Sequence, residues 1–597
     1  MSIATLKKLT LIGEMNEKSA IMEQFQAFGL AHLITLSEQT IDQATDATIC
    51  LREALSYLIS APYKRRRQIP SESIELSEVI DRVIKNKHAR EDVIDEIELI
   101  TARQKELSVW GDFEFPPLDE LNQYRVWLYL VPLSKEALLK KVELPWKIIN
   151  KDHKSIYLVV IAVDEPDEGQ VPFPRAHIGP NSLSCLAKLK NDALVRLEDL
   201  NAERQSLTRW IMPLTLSLND TINAHELKLA EQLVWNSGDF FVLQSWLPDE
   251  SRSAFEAWAQ GLPVAFQLDA PAANELPPTL LKNDSIMGGG EEAVSFFQLP
   301  GYRSWDPSIV IFFSFSLFFS MIMADAGYAL ILGGILLICW RKLSGSETTV
   351  RIRNLWLALV VAAFGYGMLV GSYFGITPPD GTLLSRLHVI NINDFSSMMK
   401  LSIGAGVLHL VIANSMVAWG RRDSLVALSS VGWVLSIIGA FALWLSYMRV
   451  TDLDVAGTFS VKVVIAGILL ILLFSGERKL DSVKNSCLQL FDGFTALYSL
   501  SKAFGDVLSY MRLFALGLSS ASLAVTFNDL AVEARDSVSA GGFILFALII
   551  VLGHGLNFVL GVMSGVIHGL RLNLLEFYNW GVKGEGYPFK AFKKRGE

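Results

Sequence analysis

Apolar residues fill the second half of the chain in long runs, whereas the first half alternates short apolar stretches with charged ones. About 20 consecutive apolar residues span the roughly 30 Å of hydrocarbon in a bilayer. On that criterion eight membrane-spanning helices are predicted, at 307–323, 325–341, 354–374, 398–419, 425–448, 460–475, 487–530 and 540–580. The first two abut at Asp325 and read almost as one. About 40 residues at 1.5 Å each make the last two roughly 60 Å long, so they must tilt, bend or project beyond the membrane. No proline occurs between Pro379 and Pro588, so any bend there must come from Gly, Ser or packing.

Before residue 300 the pattern predicts small α/β modules joined by helical arms. Lys7–Gly13 reads as a strand followed by a helix near 17–28. Arg125–Val131 and Ser155–Val163 read as strands of one module, and Phe240–Pro248 as another strand with a helix near 250–260. Two charged helical stretches lie at 71–110 and 183–235. In the second, Leu186, Ala193, Leu200, Leu207 and Leu214 recur every seventh residue, with Leu197, Ile211 and Leu218 between them. Val79, Val83, Val93, Ile97, Ile100 and Leu107 follow the same rhythm in the first. The arrangement predicts an antiparallel coiled-coil arm tipped by an α/β module, with a kink at Pro213. An ordinary helical domain is the alternative. Glu275–Asn283 and the Gly288–Gly290 run read as a linker to the membrane helices. The predicted class is therefore an α+β domain with coiled-coil arms over residues 1–300, followed by an all-α polytopic membrane domain over 301–597.

Polar residues inside the apolar runs carry the candidate chemistry. Arg512 lies within a long apolar helix, where a guanidinium stays charged and costs about 2.5–3.5 kcal/mol on insertion scales. It needs a partner, a water-filled cavity or a role. Arg571 repeats the arrangement on the next helix. His554, Asn557, Gly561, Ser564, His568 and Arg571 fall on one face of that helix, and Gly505, Ser509, Arg512, Leu516 and Ser519 form a similar face on the preceding one. Such stripes line an aqueous path or a helix interface. Small and hydroxyl residues such as Ser509 and Ser564 also serve simply as helix contacts, and either arginine could be paired inside the bundle. Asp325 reads as a capping or packing carboxylate, and Glu576 as a residue at the cytoplasmic water boundary.

Charge divides the chain as hydropathy does. Residues 1–300 hold 30 basic and 44 acidic side chains, and residues 301–597 hold 23 and 18. Basic loops follow the second, fourth, sixth and eighth helices: Arg341, Lys342, Arg351 and Arg353; Arg421 and Arg422; Arg478, Lys479 and Lys484; Lys583, Lys590, Lys593, Lys594 and Arg595. The other loops are poorer, with Arg386, Arg449 and Arg535. The positive-inside rule then places both the N-terminal half and the C-terminus in the cytoplasm. Net acidity without a large basic patch argues against nucleic acid as a partner. Cys50, Cys185, Cys339 and Cys487 are scattered, so neither a disulfide framework nor a metal site is expected. The N-terminus lacks a signal-peptide pattern. No phosphate loop, zinc-protease motif, nucleophile elbow or dinucleotide fingerprint is present, and no cofactor is expected.

Leu508-Ser-Tyr-Met-Arg-Leu-Phe-Ala-Leu516 resembles the S-Y-[LM]-R-L-[WF]-A-L signature of the membrane stator subunit of V-type and A-type rotary ATPases, subunit a or subunit I. His568-Gly-Leu-Arg-Leu-Asn-Leu-Leu-Glu-Phe577, with Gly584-Glu-Gly-Tyr-Pro-Phe589 downstream, is similar to its second motif. Weaker matches are Asp306-Pro307, Met323–Tyr328, Gly371–Gly375, Gly406-Val-Leu-His409 and Gln244–Pro248. Two positions depart from the pattern: Gly561 stands where many relatives carry glutamate, and Ser520 where many carry histidine. The short cytoplasmic half favours a prokaryotic form.

The resemblance implies a non-catalytic subunit in the cell (inner) membrane that forms two ion half-channels for H⁺ or Na⁺ against a rotor ring of c/K-type subunits. Each rotor subunit would bring one ion-binding carboxylate. Arg512 and Arg571 would be the ion-translocation residues, and Ser509, His554, Asn557, Ser564, His568 and Glu576 would line the half-channels. The implied partners are peripheral-stalk E/G-type subunits, a central-stalk d/C-type subunit and, indirectly, the catalytic A/B-type subunits. The competing readings are an independent secondary transporter or channel with a cytoplasmic regulatory domain, and a membrane scaffold in which both arginines are dispensable.

Overall fold

The computed structural model describes residues 2–34, 46–66, 76–113, 123–167, 169–179, 181–448, 454–476, 483–537, 541–582 and 584–596. Arg449, Arg478, Lys479, Lys583 and the first residues of the predicted arm, 71–75, lie outside them. The described strands are β1 (Leu6–Glu14), β2 (His32–Leu33), β3 (Arg125–Pro132), β4 (Trp146–Lys151), β5 (Ser155–Ala162), β6 (Trp235–Ser237), β7 (Phe240–Pro248) and β8 (Val264–Asp269). The helices begin with α1 (Lys18–Phe28), α2 (Asp46–Ile59), α3 (Leu76–Ser108), α4 (Leu183–Leu207), α5 (Ile211–Leu233), α6 (Arg252–Ala259) and α7 (Gly289–Phe297). An apolar series follows: α8 (Ser308–Met323), α9 (Ala326–Cys339), α10 (Glu347–Val370), the short α11 (Leu383–Leu387), α12 (Phe395–Gly420), α13 (Ala427–Tyr447), α14 (Asp454–Phe474), α15 (Val483–Ser509), α16 (Met511–Ser537) and α17 (Gly542–Arg571). The predicted class holds: an α/β part followed by a bundle of apolar helices.

Two compact units are formed. One comprises residues 17–29, 36–235 and 592–597. Here α3 and α4 run antiparallel, with the Arg82–Glu203 and Arg196–Glu96 ion pairs at 2.8 and 2.7 Å along the seam. The heptad positions Val79, Val83, Val93, Ile100, Leu107, Leu186, Ala193, Leu207 and Leu214 are buried, which is what makes two charged helices adhere. A three-stranded antiparallel sheet, ordered β3-β5-β4, packs Leu128 against Ile100, Leu107 and Leu186 at one end of the pair. Instead of kinking within one helix at Pro213, the return arm breaks at a 3-10 turn over Thr208–Trp210. Pro213 then falls in the first turn of α5, where its missing N–H costs no hydrogen bond.

The other unit comprises residues 1–16, 30–35 and 236–591. Its sheet runs β2-β7-β1-β8, with β6 on β7. β1 pairs antiparallel with β7 from Leu6↔Pro248 to Glu14↔Phe240. Residues 585–590 pack beside it. Thr279 N–H donates to Tyr587 O at 2.8 Å, and Lys590 N–H to His32 Nδ1 at 2.9 Å.

In the same unit, six helices among the described residues are long and apolar enough to cross a bilayer, and α8 and α9 are shorter apolar helices. Asp325 separates these two. It caps α9 by accepting from Tyr328 N–H at 3.1 Å. It also accepts from the Phe374 and Gly375 amides, both at 3.0 Å, and from Ser372 Oγ at 2.6 Å. The Gly288–Gly290 run is not a linker. It opens α7, which is clamped to α10 by Arg351, whose guanidinium lies 2.9 Å from Glu291 and 3.7 Å from Glu292. The two longest apolar stretches, Leu488–Ser537 and Gly542–Gly581, are each interrupted. Tyr510 is a turn between α15 and α16, and a π-helical segment, Leu572–Phe577, follows α17.

Candidate functional site

Arg512 is the second residue of α16, just past the Tyr510 break. Its Nη1 lies 3.8 Å from Glu576 Oε1, and its Nη2 donates to Ser509 Oγ at 3.5 Å. The first distance is an ion pair without a hydrogen bond, and the second is at the limit of one. Arg512 Nη1 and Glu576 Oε2 are both buried without a hydrogen-bond partner among the described residues. The Arg512 side chain as a whole is nonetheless 32% exposed, against 6% for that of Glu576. Charge is thus balanced inside the protein while most of the five arginine donors remain uncommitted. A second carboxylate arriving from outside could take them in a bidentate fork.

Glu576 is therefore not at the water boundary, as the sequence led us to expect, but buried beside Arg512. The π segment supplies the reason. One residue inserted into a helical turn rotates every later side chain by about 100°. That shift turns Glu576 and Phe577 inward, whereas Arg571, on the last turn of α17 before it, is exposed. His568, half-buried one turn earlier, lies within the field of both arginines. Its Nδ1 is buried with no hydrogen-bond partner among the described residues. Ser564, a further turn back, is also half-buried.

His554 and Asn557 belong to a different cluster. His554 precedes Arg571 by 17 residues, about 25 Å of α-helix. Its Nδ1 lies 2.8 Å from Tyr328 Oη, and its Nε2 2.9 Å from Asn528 Oδ1. Asn557 Nδ2 donates to Tyr328 Oη at 3.0 Å and to Ser520 O at 2.9 Å. Asn528 Nδ2 donates to Phe374 O at 2.8 Å, which ties the cluster to the loop held by Asp325. Both imidazole nitrogens are occupied, so this histidine is fixed in orientation. It also lines an apolar groove with Asn528, Ile331, Phe374 and Phe558.

The structure thus brings Arg512, Ser509 and Glu576 together, with His568 and Arg571 close by, and sets His554 and Asn557 apart. Sequence reasoning missed Tyr328 and Asn528 as members of the second cluster. Tyr328 had a signal, since it stands three residues after the only carboxylate in its apolar run. Asn528 had only its polarity.

No family model matches the chain. It is similar to V-type ATP synthase subunit I of Borreliella burgdorferi, at 24% identity over 99% of both chains. V-type ATP synthase subunit I 1 of Treponema pallidum is 25% identical, over 99% of this chain and 100% of that one. A-type ATP synthase subunit I of Methanocaldococcus jannaschii is 26% identical over 60% of this chain and 55% of its own. A crystal structure of the cytoplasmic N-terminal domain of subunit I, homolog of subunit a, of V-ATPase aligns with 44% of this chain and 99% of its own, at 12% identity and a TM-score of 0.22, too distant to compare folds.

Proposed function

We propose that this homologue of the V-type and A-type ATP synthase subunit I proteins is the non-rotating membrane subunit of a rotary ATPase, and that ions pass between it and a rotor ring along Arg512. The observation that carries the reading is the loosely held guanidinium: charged, at the end of a side chain one-third exposed, and 3.8 Å from a buried internal carboxylate. A rotor carboxylate reaching Arg512 would be held in its ionised form and so release its ion. The internal Glu576 keeps the guanidinium neutralised between such encounters. Because the pair lacks hydrogen bonds, the exchange of one carboxylate for another crosses no deep well. The standing positive charge also bars cations from slipping directly between the two sides of the membrane.

In this reading the clusters divide the path. His568, Glu576 and Ser509, with Arg571, serve one half-channel, on the cytoplasmic side by the loop charges. His554 and Asn557 serve the other, about 25 Å along α17. Ser564 lies between them. Residues 1–300 act as the stator part, with the antiparallel α3–α4 arm binding E/G-type peripheral stalks and resisting torque, and residues 301–597 as the ion-translocation part. ATP chemistry takes place on other subunits, consistent with the lack of a phosphate loop.

The test is ATP-driven ion uptake in vesicles carrying the complex with wild-type chain or Arg512→Gln, at equal assembly. We expect a loss of about a hundredfold or more, the scale of removing a preorganised charge from a reacting group. Unimpaired uptake would refute the assignment and return the transporter and scaffold readings to consideration.

A further inference from the structure

His409 touches neither arginine, yet it supports both members of the Arg512–Glu576 pair. Its Nδ1 lies 2.9 Å from Tyr510 Oη, and Tyr510 is the turn residue from which α16, and with it Arg512, departs. The opposite support is a stack. The His409 ring lies parallel to that of Phe577, with centroids 4.2 Å apart and planes 6° from parallel. Phe577 is the neighbour of Glu576 in the π segment. A closed circuit results, from His409 to Tyr510, along two residues to Arg512, across to Glu576, and through Phe577 back to His409.

Three further features mark the circuit as built. Tyr510 is fully buried and His409 is 3% exposed. Phe318 closes on both rings from the side, edge-on, at centroid distances of 5.0 Å to His409 and 5.6 Å to Tyr510. Gly406, one turn before His409 on α12, makes room: a Cβ there would stand 2.5 Å from Tyr510 Cγ. Neither proline nor glycine stands at Tyr510, and the local sequence offers only the Ser509 hydroxyl, which donates back to Gly505 O at 3.2 Å, toward a break there. The break is imposed by seating the tyrosine ring on Gly406 and its hydroxyl on His409.

We propose that His409 and Tyr510 are positioning residues for Arg512. Their hydrogen bond sets where α15 stops and α16 starts, and thereby fixes the guanidinium opposite its carboxylate partners. This rests on the function proposed for Arg512 above. A buried polar contact between two aromatic side chains holds distance and direction together, which apolar packing alone does not.

The experiment compares ATP-driven ion uptake and complex assembly for Tyr510→Phe, His409→Phe and His409→Gln, with Arg512→Gln alongside. Tyr510→Phe keeps the ring on Gly406 and removes only the hydroxyl. His409→Phe keeps a flat ring against Phe577 and removes the hydrogen-bonding nitrogen, whereas His409→Gln keeps a hydrogen-bonding group and loses the stack. We expect Tyr510→Phe and His409→Phe to assemble normally yet lose uptake about tenfold or more, as displaced reacting groups do, and His409→Gln to keep most of it. Normal uptake in assembled Tyr510→Phe, or equal impairment in the two His409 variants, overturns the proposal. Uptake that merely follows the amount of assembled complex does the same, because it would mark a structural role. If His409→Phe fails to assemble, Tyr510→Phe decides alone. Uptake surviving in Arg512→Gln would instead refute the function assigned to Arg512, whatever the other variants do.

Discussion

Three backbone amides of the membrane bundle depend on Asp325, so removing it has a calculable effect. Oδ1 accepts from the Tyr328 and Phe374 amides, and Oδ2 from the Gly375 amide and the Ser372 hydroxyl. The residue is 3% exposed, so water does not compensate. In Asp325→Ala the capping amide of α9 costs about 1 kcal/mol, and each of the two stranded loop amides about 1–3 kcal/mol. Ser372 turns its hydroxyl elsewhere. The total is roughly 3–7 kcal/mol. Asp325→Asn keeps one carbonyl oxygen for two of the amides and strands chiefly that of Gly375, for about 1–3 kcal/mol. The damage should also spread. Phe374 O accepts from Asn528, which orients His554, so a loosened loop frees that imidazole. Denaturant titration in detergent, read by tryptophan fluorescence, should rank wild type above Asp325→Asn above Asp325→Ala. Hydrogen exchange should rise over 372–376 in the alanine variant. An alanine variant within about 1 kcal/mol of wild type would place it among ordinary surface substitutions and refute the reasoning.

Two further outcomes follow from the same geometry. His32 lies between Tyr587 and Phe589 and accepts the Lys590 amide on Nδ1, and burial, the largest influence, holds its imidazole below the usual range. A lowered folded-state pKa means that the neutral form is the one the fold binds. The contribution of this contact is therefore complete above the ordinary imidazole value of about 6.5 and fades as pH falls through the folded value. Exchange of the Lys590 amide, corrected for its intrinsic rate, should accelerate on acidification in wild type and show no such step in His32→Phe. Gly290→Ala would put a methyl 2.0 Å from the Ser308 carbonyl oxygen and should destabilise by about 1–3 kcal/mol. Gly334→Ala, with no atom within 4 Å, should be neutral or stabilising by about 0.5–1 kcal/mol in the same unfolding assay.

What could be read from the sequence, and what could not, divides along the range of the interactions involved. The heptads of the α3–α4 arm and the strands β1, β3, β5 and β7 were legible, because burial of one face imposes a period on neighbouring residues. Arg512 was legible for the opposite reason, since a fixed charge in an apolar run is anomalous wherever it stands. Its partner was not, because Glu576 is 64 residues away and faces it only through a π turn that no local pattern announces. The three glycines at Gly288–Gly290 misled through composition: glycine marks a flexible linker or a close approach of backbones with equal economy, and the atoms pressed against them, Leu355 Cβ and Arg351 O at Gly289 and Ser308 O at Gly290, distinguish the two. The Tyr510 break is the same lesson at the proposed site. Its ring and hydroxyl meet a glycine and a histidine on another helix, about a hundred residues earlier, so the geometry proposed for Arg512 rests on positions remote in sequence. Substitution of Gly406, or of His409 by a residue that cannot hydrogen-bond to Tyr510, should therefore disturb ion movement by displacing Arg512, without altering the chemistry of any residue along the path.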